Sequence, residues 1–193
     1  MNPYFVCGDG FGEYCGKSAY LPYFQYPWAE QLREISSEGS HVKSMLFVGR
    51  GIHYPIAREA ALKLKECAYL QADGYPSGEL KHGPNALLDT DTPLVMLATV
   101  DRGDERSVRL YRKTLQLMKD MRAQKARIVC LANAGDTEVP DLADRVIEIE
   151  ETSDILLAIS EVIPLQLLAY FTATSKGLDV DRSRNLTKAV LSE

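Results

Sequence analysis

Short apolar runs alternate with longer segments of helical period between residue 44 and about residue 176. The continuous apolar runs predict four strands, which are Met45–Val48, Leu94–Ala98, Arg127–Ala132 and Arg145–Ile149. The segments whose apolar residues recur every three or four positions predict helices over Pro55–Tyr69, Arg106–Gln124 and Ile155–Lys176. Buried strands that alternate with helices are typical of a parallel sheet covered on both faces. The pattern therefore predicts an α/β fold with an open parallel sheet in the middle of a three-layer αβα arrangement.

Residues 1–43 do not share this alternation. Aromatic residues and glycines crowd residues 4–28 without a period of two or 3.6. A helix is predicted over residues 27–38, since Pro27 suits a first turn and Gly39 a helix end. We interpret residues 1–43 as an aromatic-rich lead-in and residues 44–193 as one domain with a C-terminal tail. The lead-in is either an arm packed on a partner or a poorly ordered segment.

Composition narrows the class of protein. The 193 residues suffice for one domain with a core, and the net charge of −5 argues against a broad nucleic-acid surface. The four cysteines show no C-x-x-C spacing and have few histidines nearby, which argues against a zinc site. Cys67 and Cys130 lie in apolar runs and are predicted to be buried free thiols, as suits a cytoplasmic protein. The residues after Met1 lack the pattern of a signal peptide.

Ile155–Lys176 is apolar enough to resemble a membrane span. Glu161, Pro164 and Gln166 interrupt it, and a charge in the middle of a span is costly. We therefore predict a buried helix and no membrane association.

The candidate chemistry lies in residues 59–84. Glu59, Lys63 and Glu66 stand at i, i+4 and i+7, so they project from one stripe of a helix. Such a triplet is most often a solvated row of salt bridges, but it also suits a carboxylate base beside an ammonium group. His82 lies just beyond a turn and beside Gly83, so we expect a loop to present it. Near neutral pH a histidine can both donate and accept a proton, so these residues could move protons together.

Two other segments are weaker candidates. Gly49–Gly51 follows a strand and precedes a helix, where open α/β sheets bind ligands. Tyr54 occupies the place of the third glycine of a dinucleotide site, so only backbone N–H groups and Arg50 could hold a phosphate. Asp179–Glu193 is by composition a polar tail, in which a lysine such as Lys188 is ordinarily solvated.

Four motifs carry a resemblance to a known family. They are GRGIHYPIAREAALKLKECAYL, GELKHGPNALLD, VIPLQLLAY and DVDRSRNLTKAV. In this order they resemble the C-terminal part of the glutamine–fructose-6-phosphate aminotransferases (isomerizing), also called glucosamine-6-phosphate synthases. The resemblance runs from about Ser44 to Glu193 of this chain. The resemblance implies the second of two sugar isomerase (SIS) domains, with a five-stranded parallel sheet. It also implies fructose 6-phosphate as substrate, a homodimer, and neither an organic cofactor nor a metal.

The resemblance also implies roles for single residues. Glu66 matches the base that moves a proton between C1 and C2 of the sugar, and Lys63 a lysine near that base. His82 matches the ring-opening histidine, which the family supplies from the neighbouring subunit. Lys188 matches the tail lysine that contacts the open-chain carbonyl and is proposed to form a Schiff base. Glu59 and Thr187 are candidate substrate contacts, although family tails have alanine where Thr187 stands.

Two parts of the family pattern find no match. They are the glutamine-hydrolysing domain and the Ser/Thr-rich phosphate loops of the first SIS domain, which a separate chain could carry. We therefore expect the chain alone to bind fructose 6-phosphate weakly and to make little glucosamine 6-phosphate. Two alternative functions stay open: a related SIS enzyme that deglycates fructosamine phosphates, and a non-catalytic SIS module that binds sugar phosphates or only dimerises.

Overall fold

The computed structural model describes residues 27–38 and 42–185. In chain order these residues form α1 (Pro27–Glu38), β1 (Ser44–Gly49), α2 (His53–Ala68), β2 (Gln71–Pro76), β3 (Leu94–Leu97), α3 (Glu105–Ala123), β4 (Ile128–Asn133), β5 (Arg145–Ile149) and α4 (Asp154–Ser175). Two 3₁₀ turns, Leu80–His82 and Pro84–Leu87, lie between β2 and β3. Most of the aromatic lead-in, residues 1–26, lies outside the described residues. Its two interpretations therefore stay predictions.

The five strands form one sheet in the order β2-β1-β3-β4-β5, and every neighbouring pair is parallel. The chain passes outward from β1 to β2 and then crosses back to β3 on the other side of β1. The winding direction therefore reverses between β1 and β3. The predicted open parallel sheet is confirmed.

Helices cover both faces of the sheet, as predicted. On β1, Met45 and Phe47 face a core shared with α1, α2 and α4, whereas Leu46 and Val48 face a core shared with α3 and the first 3₁₀ turn. Burial on both faces explains why β1 is a continuous apolar run. Helix α1, which the sequence placed in the lead-in, buries Leu32 in the first of these cores and so packs as part of the domain.

Strand β2 was not predicted from the hydrophobic pattern. Its sequence QADGYP combines residues that are uncommon in strands, and only Ala72 is fully buried. It pairs with β1 alone, at the edge of the sheet, where packing demands fewer apolar side chains. Gly74 also lets α2 approach closely, because a Cβ there would lie 2.6 Å from Cα of Arg58.

Helix α4 is long and apolar enough to cross a membrane by length and composition alone. In the structure it packs against α1 and α2, Glu161 within it is 0% exposed, and Pro164 lies inside the helix. The prediction of a buried helix is therefore confirmed. Its first turns are an exception, because Ile155, Leu156 and Ile159 are exposed; we call these three residues the α4 apolar patch.

We expect Gly49→Ala to destabilise the protein by about 3 kcal/mol, as a severe core substitution does. A methyl group at Gly49 would overlap the main-chain carbonyl of His53, where α2 begins against the end of β1. Urea unfolding of the 193-residue chain measures the change. Gly78→Ala is the matched control, since nothing lies within 4 Å of its Cβ position, and equal midpoints for the two variants would contradict the expectation.

Candidate functional site

Helix α2 carries the residues that the sequence singled out. Its segment EAALKLKE consists of strong helix formers, and Ala60 and Leu64 lie on the buried side. The helix ends at Tyr69, which adopts a left-handed conformation with φ 51°. Helix α2 therefore holds its outward-facing side chains on a rigid support.

The three predicted residues do meet on one stripe of α2. Lys63 Nζ lies 2.7 Å from Glu66 Oε2 and 3.6 Å from Glu59 Oε1. The side chains of Lys63 and Glu66 are only 13% and 20% exposed, whereas Glu59 is 39% exposed. A solvated row of salt bridges would be more exposed than this. The pair instead holds the Glu66 carboxylate in one orientation at the edge of the protein interior.

His82 lies in a separate part of the structure. The 3₁₀ turn that carries it is anchored by Leu80, which is fully buried, and by an ion pair between Lys81 and Asp120 of α3. His82 itself is exposed, and Gly83 follows it with φ 146°. The loop position predicted for His82 is thus confirmed.

Within one chain, the structure does not bring His82 and Glu66 together. Glu66 belongs to α2, which packs on the face of the sheet shared with α1 and α4. His82 follows Leu80, which is buried in the core on the opposite face, beside α3. Glu66 and His82 therefore belong to elements that pack on opposite faces of the sheet.

The C-terminal segment returns to the end of α2 that carries Glu66. Leu178 and Val180 pack against the core shared by α2 and α4. The main-chain N–H of Arg184 then donates a hydrogen bond to the hydroxyl oxygen of Tyr69 at 2.8 Å. Thr187 and Lys188 lie outside the described residues.

A buried polar cluster at the carboxyl edge of the sheet was missed by the sequence reasoning. Glu161 Oε1 lies 2.8 Å from His53 Nδ1 and also accepts a hydrogen bond from the hydroxyl of Thr99. All three residues are at most 3% exposed. One feature of the sequence could have indicated this cluster: Glu161 is a carboxylate in an otherwise apolar helix, and a buried carboxylate requires a polar partner. The sequence could not identify that partner.

The Gly49–Gly51 loop, a weak candidate for phosphate binding in the sequence, has part of its hydrogen-bonding capacity occupied. The N–H groups of His53 and Tyr54 already donate to the carbonyl oxygens of Arg50 and Gly51 within the turn. Arg50 Nε is buried without a hydrogen-bond partner in the described residues. Among the same residues, no three His, Cys, Asp or Glu side chains are grouped to hold a metal ion. Cys67 and Cys130 are both buried, as predicted.

The sequence of this chain is similar to those of known proteins. Residues 40–176 match the profile of the family described as SIS domain. The chain is 42% identical over 164 residues to the glutamine–fructose-6-phosphate aminotransferase (isomerizing) of Chlorobaculum tepidum, and 44% identical over 159 residues to that of Thermus thermophilus. These alignments cover 85% and 82% of the chain but only 26% and 25% of the relatives. The chain thus spans about a quarter of the length of the curated relatives that it matches.

A solved structure is similar to this chain in fold as well as in sequence. The C-terminal domain of glucosamine-fructose-6-phosphate aminotransferase from Francisella tularensis superposes with a TM-score of 0.72 and 34% identity. The match covers 88% of this chain and 46% of that one. The resemblance identified from the four sequence motifs is confirmed.

We expect Glu161→Ala to lower the free energy of unfolding by about 3 kcal/mol, because His53 and Thr99 would lose a buried partner. Urea unfolding at neutral pH measures the loss. Glu105→Ala is the control, since the Glu105 side chain is 94% exposed, and we expect a change below about 0.5 kcal/mol there. A similarly small change for Glu161→Ala would show that the buried cluster does not stabilise the fold.

Proposed function

The chain belongs to the SIS domain family, and from this premise we propose that it supplies the isomerase portion of an enzyme that makes glucosamine 6-phosphate from fructose 6-phosphate. The observation that carries the proposal is the Glu66 carboxylate, half-buried and held by Lys63 Nζ at 2.7 Å. An aldose–ketose shift needs one base that reaches two adjacent carbons, and an oriented carboxylate meets that need. The 42% identity to an aminotransferase that bears this activity in its name supports the choice of sugar.

In the proposed reaction, Glu66 takes a proton from C1 of the open-chain sugar derivative and returns it at C2. Negative charge develops on the oxygen or nitrogen at C2 while the proton is on Glu66. A cation beside that atom stabilises this charge, and we assign the role to Lys188, which can also condense with the carbonyl. Lys63 keeps Glu66 oriented, and Glu59 and Thr187 contact the substrate.

We propose that His82 opens the sugar ring in the site of a second copy of the chain. Two observations support this: within one chain, Glu66 and His82 belong to elements packed on opposite faces of the sheet, and His82 is exposed. The α4 apolar patch is a further exposed surface that association with another domain or subunit could cover. A homodimer would complete each site with one histidine from the partner.

We place the phosphate-binding residues and the source of ammonia in the parts of the relatives that this chain does not match. The described residues contain no loop that resembles a Ser/Thr-rich phosphate cradle, and the N–H groups of His53 and Tyr54 beside the Gly49–Gly51 turn already donate to carbonyl oxygens of that turn. We therefore propose that these functions come from another segment or another chain. The buried free thiol of Cys130 supports a reducing, cytoplasmic location.

Glu66→Gln should abolish proton transfer while sugar binding survives. The amide has the size of the carboxylate but cannot act as a base, so we expect at least a ~10³-fold loss of exchange at the sugar carbon. Deuterium incorporation from D₂O into fructose 6-phosphate, followed by NMR, measures it. The same comparison can be made in a chimera in which this chain replaces the matching region of the Chlorobaculum tepidum relative. In the chimera, the weak sugar binding that we expect of the chain alone no longer limits the measurement.

Glu105→Gln is the control for Glu66→Gln, because Glu105 also forms an i,i+4 ion pair on a helix but is 94% exposed. Unchanged exchange in the chimera carrying Glu66→Gln would overturn the assignment of Glu66 as the base. Sugar binding without exchange in every form, including the unaltered chimera, would instead favour a non-catalytic binding module.

Equal mixing of the Glu66→Gln and His82→Ala proteins should restore about a quarter of the exchange activity if His82 acts across a dimer. Half of the randomly formed dimers are then mixed, and one of the two sites in each mixed dimer has both Glu66 and His82. Exchange after mixing is compared with that of each variant alone. If the mixture exchanges no faster than the average of the two variants, His82 serves its own chain or is not required.

A further inference from the structure

The C-terminal segment has one specific contact with the helix that carries Glu66. Besides the 2.8 Å hydrogen bond from the Arg184 N–H to the Tyr69 hydroxyl, the guanidinium carbon of Arg184 lies 4.0 Å from the centre of the Tyr69 ring. The two contacts use different parts of both residues. Arg184 is thus held both through its backbone and through its side chain.

The conformation of Tyr69 indicates that its side chain matters there. A residue that ends a helix in the left-handed region is usually glycine, because other side chains are strained at positive φ. Tyr69 has φ 51° and ends α2 in this way. The structure therefore places an aromatic side chain where backbone strain alone would favour glycine, and that side chain is the one that binds Arg184.

The contact lies close enough to Glu66 to matter for chemistry. Tyr69 follows Glu66 by less than one helical turn, a rise of about 4.5 Å along the axis. Lys188 follows Arg184 by four residues, so its Cα lies within about 14 Å of that of Arg184. Anchoring Arg184 at this end of α2 therefore limits how far from Glu66 the chain can carry Lys188.

We propose that Tyr69 and Arg184 form a clamp that holds the C-terminal segment at the end of α2 that carries Glu66, and that the reaction of Lys188 depends on this clamp. The proposal rests on the proposed function, because it treats Lys188 as the residue that meets the open-chain carbonyl. Tyr69 and Arg184 are positioning residues, which act through the tail and need not touch the sugar. Asn185, with φ 58°, turns the backbone directly after the clamp.

The clamp itself is tested by hydrogen exchange of the Arg184 amide in the 193-residue chain, followed by NMR. Tyr69→Phe removes only the accepting oxygen and keeps the ring, so the fold should persist. We expect the Arg184 amide to exchange about tenfold faster in this variant. Tyr54→Phe is the matched control, because Tyr54 lies in the first turn of α2, with Arg58 6.0 Å from its ring. Fast exchange of Arg184 in the unaltered chain would overturn the clamp.

The effect on Lys188 is tested by reductive trapping with fructose 6-phosphate. The lysine amine adds to C2 of the open-chain sugar and water leaves. Cyanoborohydride then delivers a hydride to the C=N bond, and a solvent proton completes a stable secondary amine. Peptide mass mapping gives the rate of modification at Lys188. We expect about a tenfold lower rate for Tyr69→Phe and for Arg184→Ala, which corresponds to ~1.4 kcal/mol.

The controls separate positioning from general loss of structure. Arg182→Ala removes a neighbouring cation of the same tail and should leave trapping unchanged. Arg184→Lys keeps the charge but not the planar group, so its rate should fall between those of the unaltered chain and Arg184→Ala. Equal trapping in the unaltered chain, Tyr69→Phe and Arg184→Ala would overturn the positioning role. If Lys188 is not trapped even in the unaltered chain while the Arg184 amide is protected, the proposed role of Lys188 fails although the clamp exists.

Discussion

The close packing of α2 against the sheet is the constraint on which the rest of the structure depends. Glycines stand where this helix meets β1 and β2, and alanines line its buried side, so the backbones approach without intervening bulk. This approach fixes where α2 starts and in which direction its outer stripe points. It thereby sets the positions of the Glu66–Lys63 pair and of Tyr69 at the end of α2, to which the C-terminal segment binds.

The two layers of helices divide the candidate chemistry between them. One layer holds the carboxylate and the returning segment, and the other holds the loop with His82. Within a single copy, the residues that we propose for one site thus belong to elements on different faces of the sheet. Under the proposed function, catalysis would require the assembly of two copies of the chain, each contributing one part of a site.

Local patterns predicted the parts of the molecule that depend on local sequence. Strands β1, β3 and β4 are apolar because both of their faces are covered, whereas the edge strand β5 alternates buried Ile147 and Ile149 with exposed Glu148. The spacing of Glu59, Lys63 and Glu66 alone implies a shared stripe. Contacts between distant residues could not be obtained in this way. Glu161 meets His53 across 108 positions and Arg184 meets Tyr69 across 115, and no short-range pattern encodes either pairing. The family resemblance supplied roles, but not these contacts.

The composition of β2 has a consequence for solubility. An edge strand exposes unpaired backbone groups that can recruit the edge of another sheet and start aggregation. Here the edge carries Gly74 and Pro76, and Asp73 is held by Lys65 and Gln71, so charge and irregular backbone lie where a foreign strand would dock. The features that make β2 hard to recognise as a strand thus also make it a poor template for intermolecular pairing.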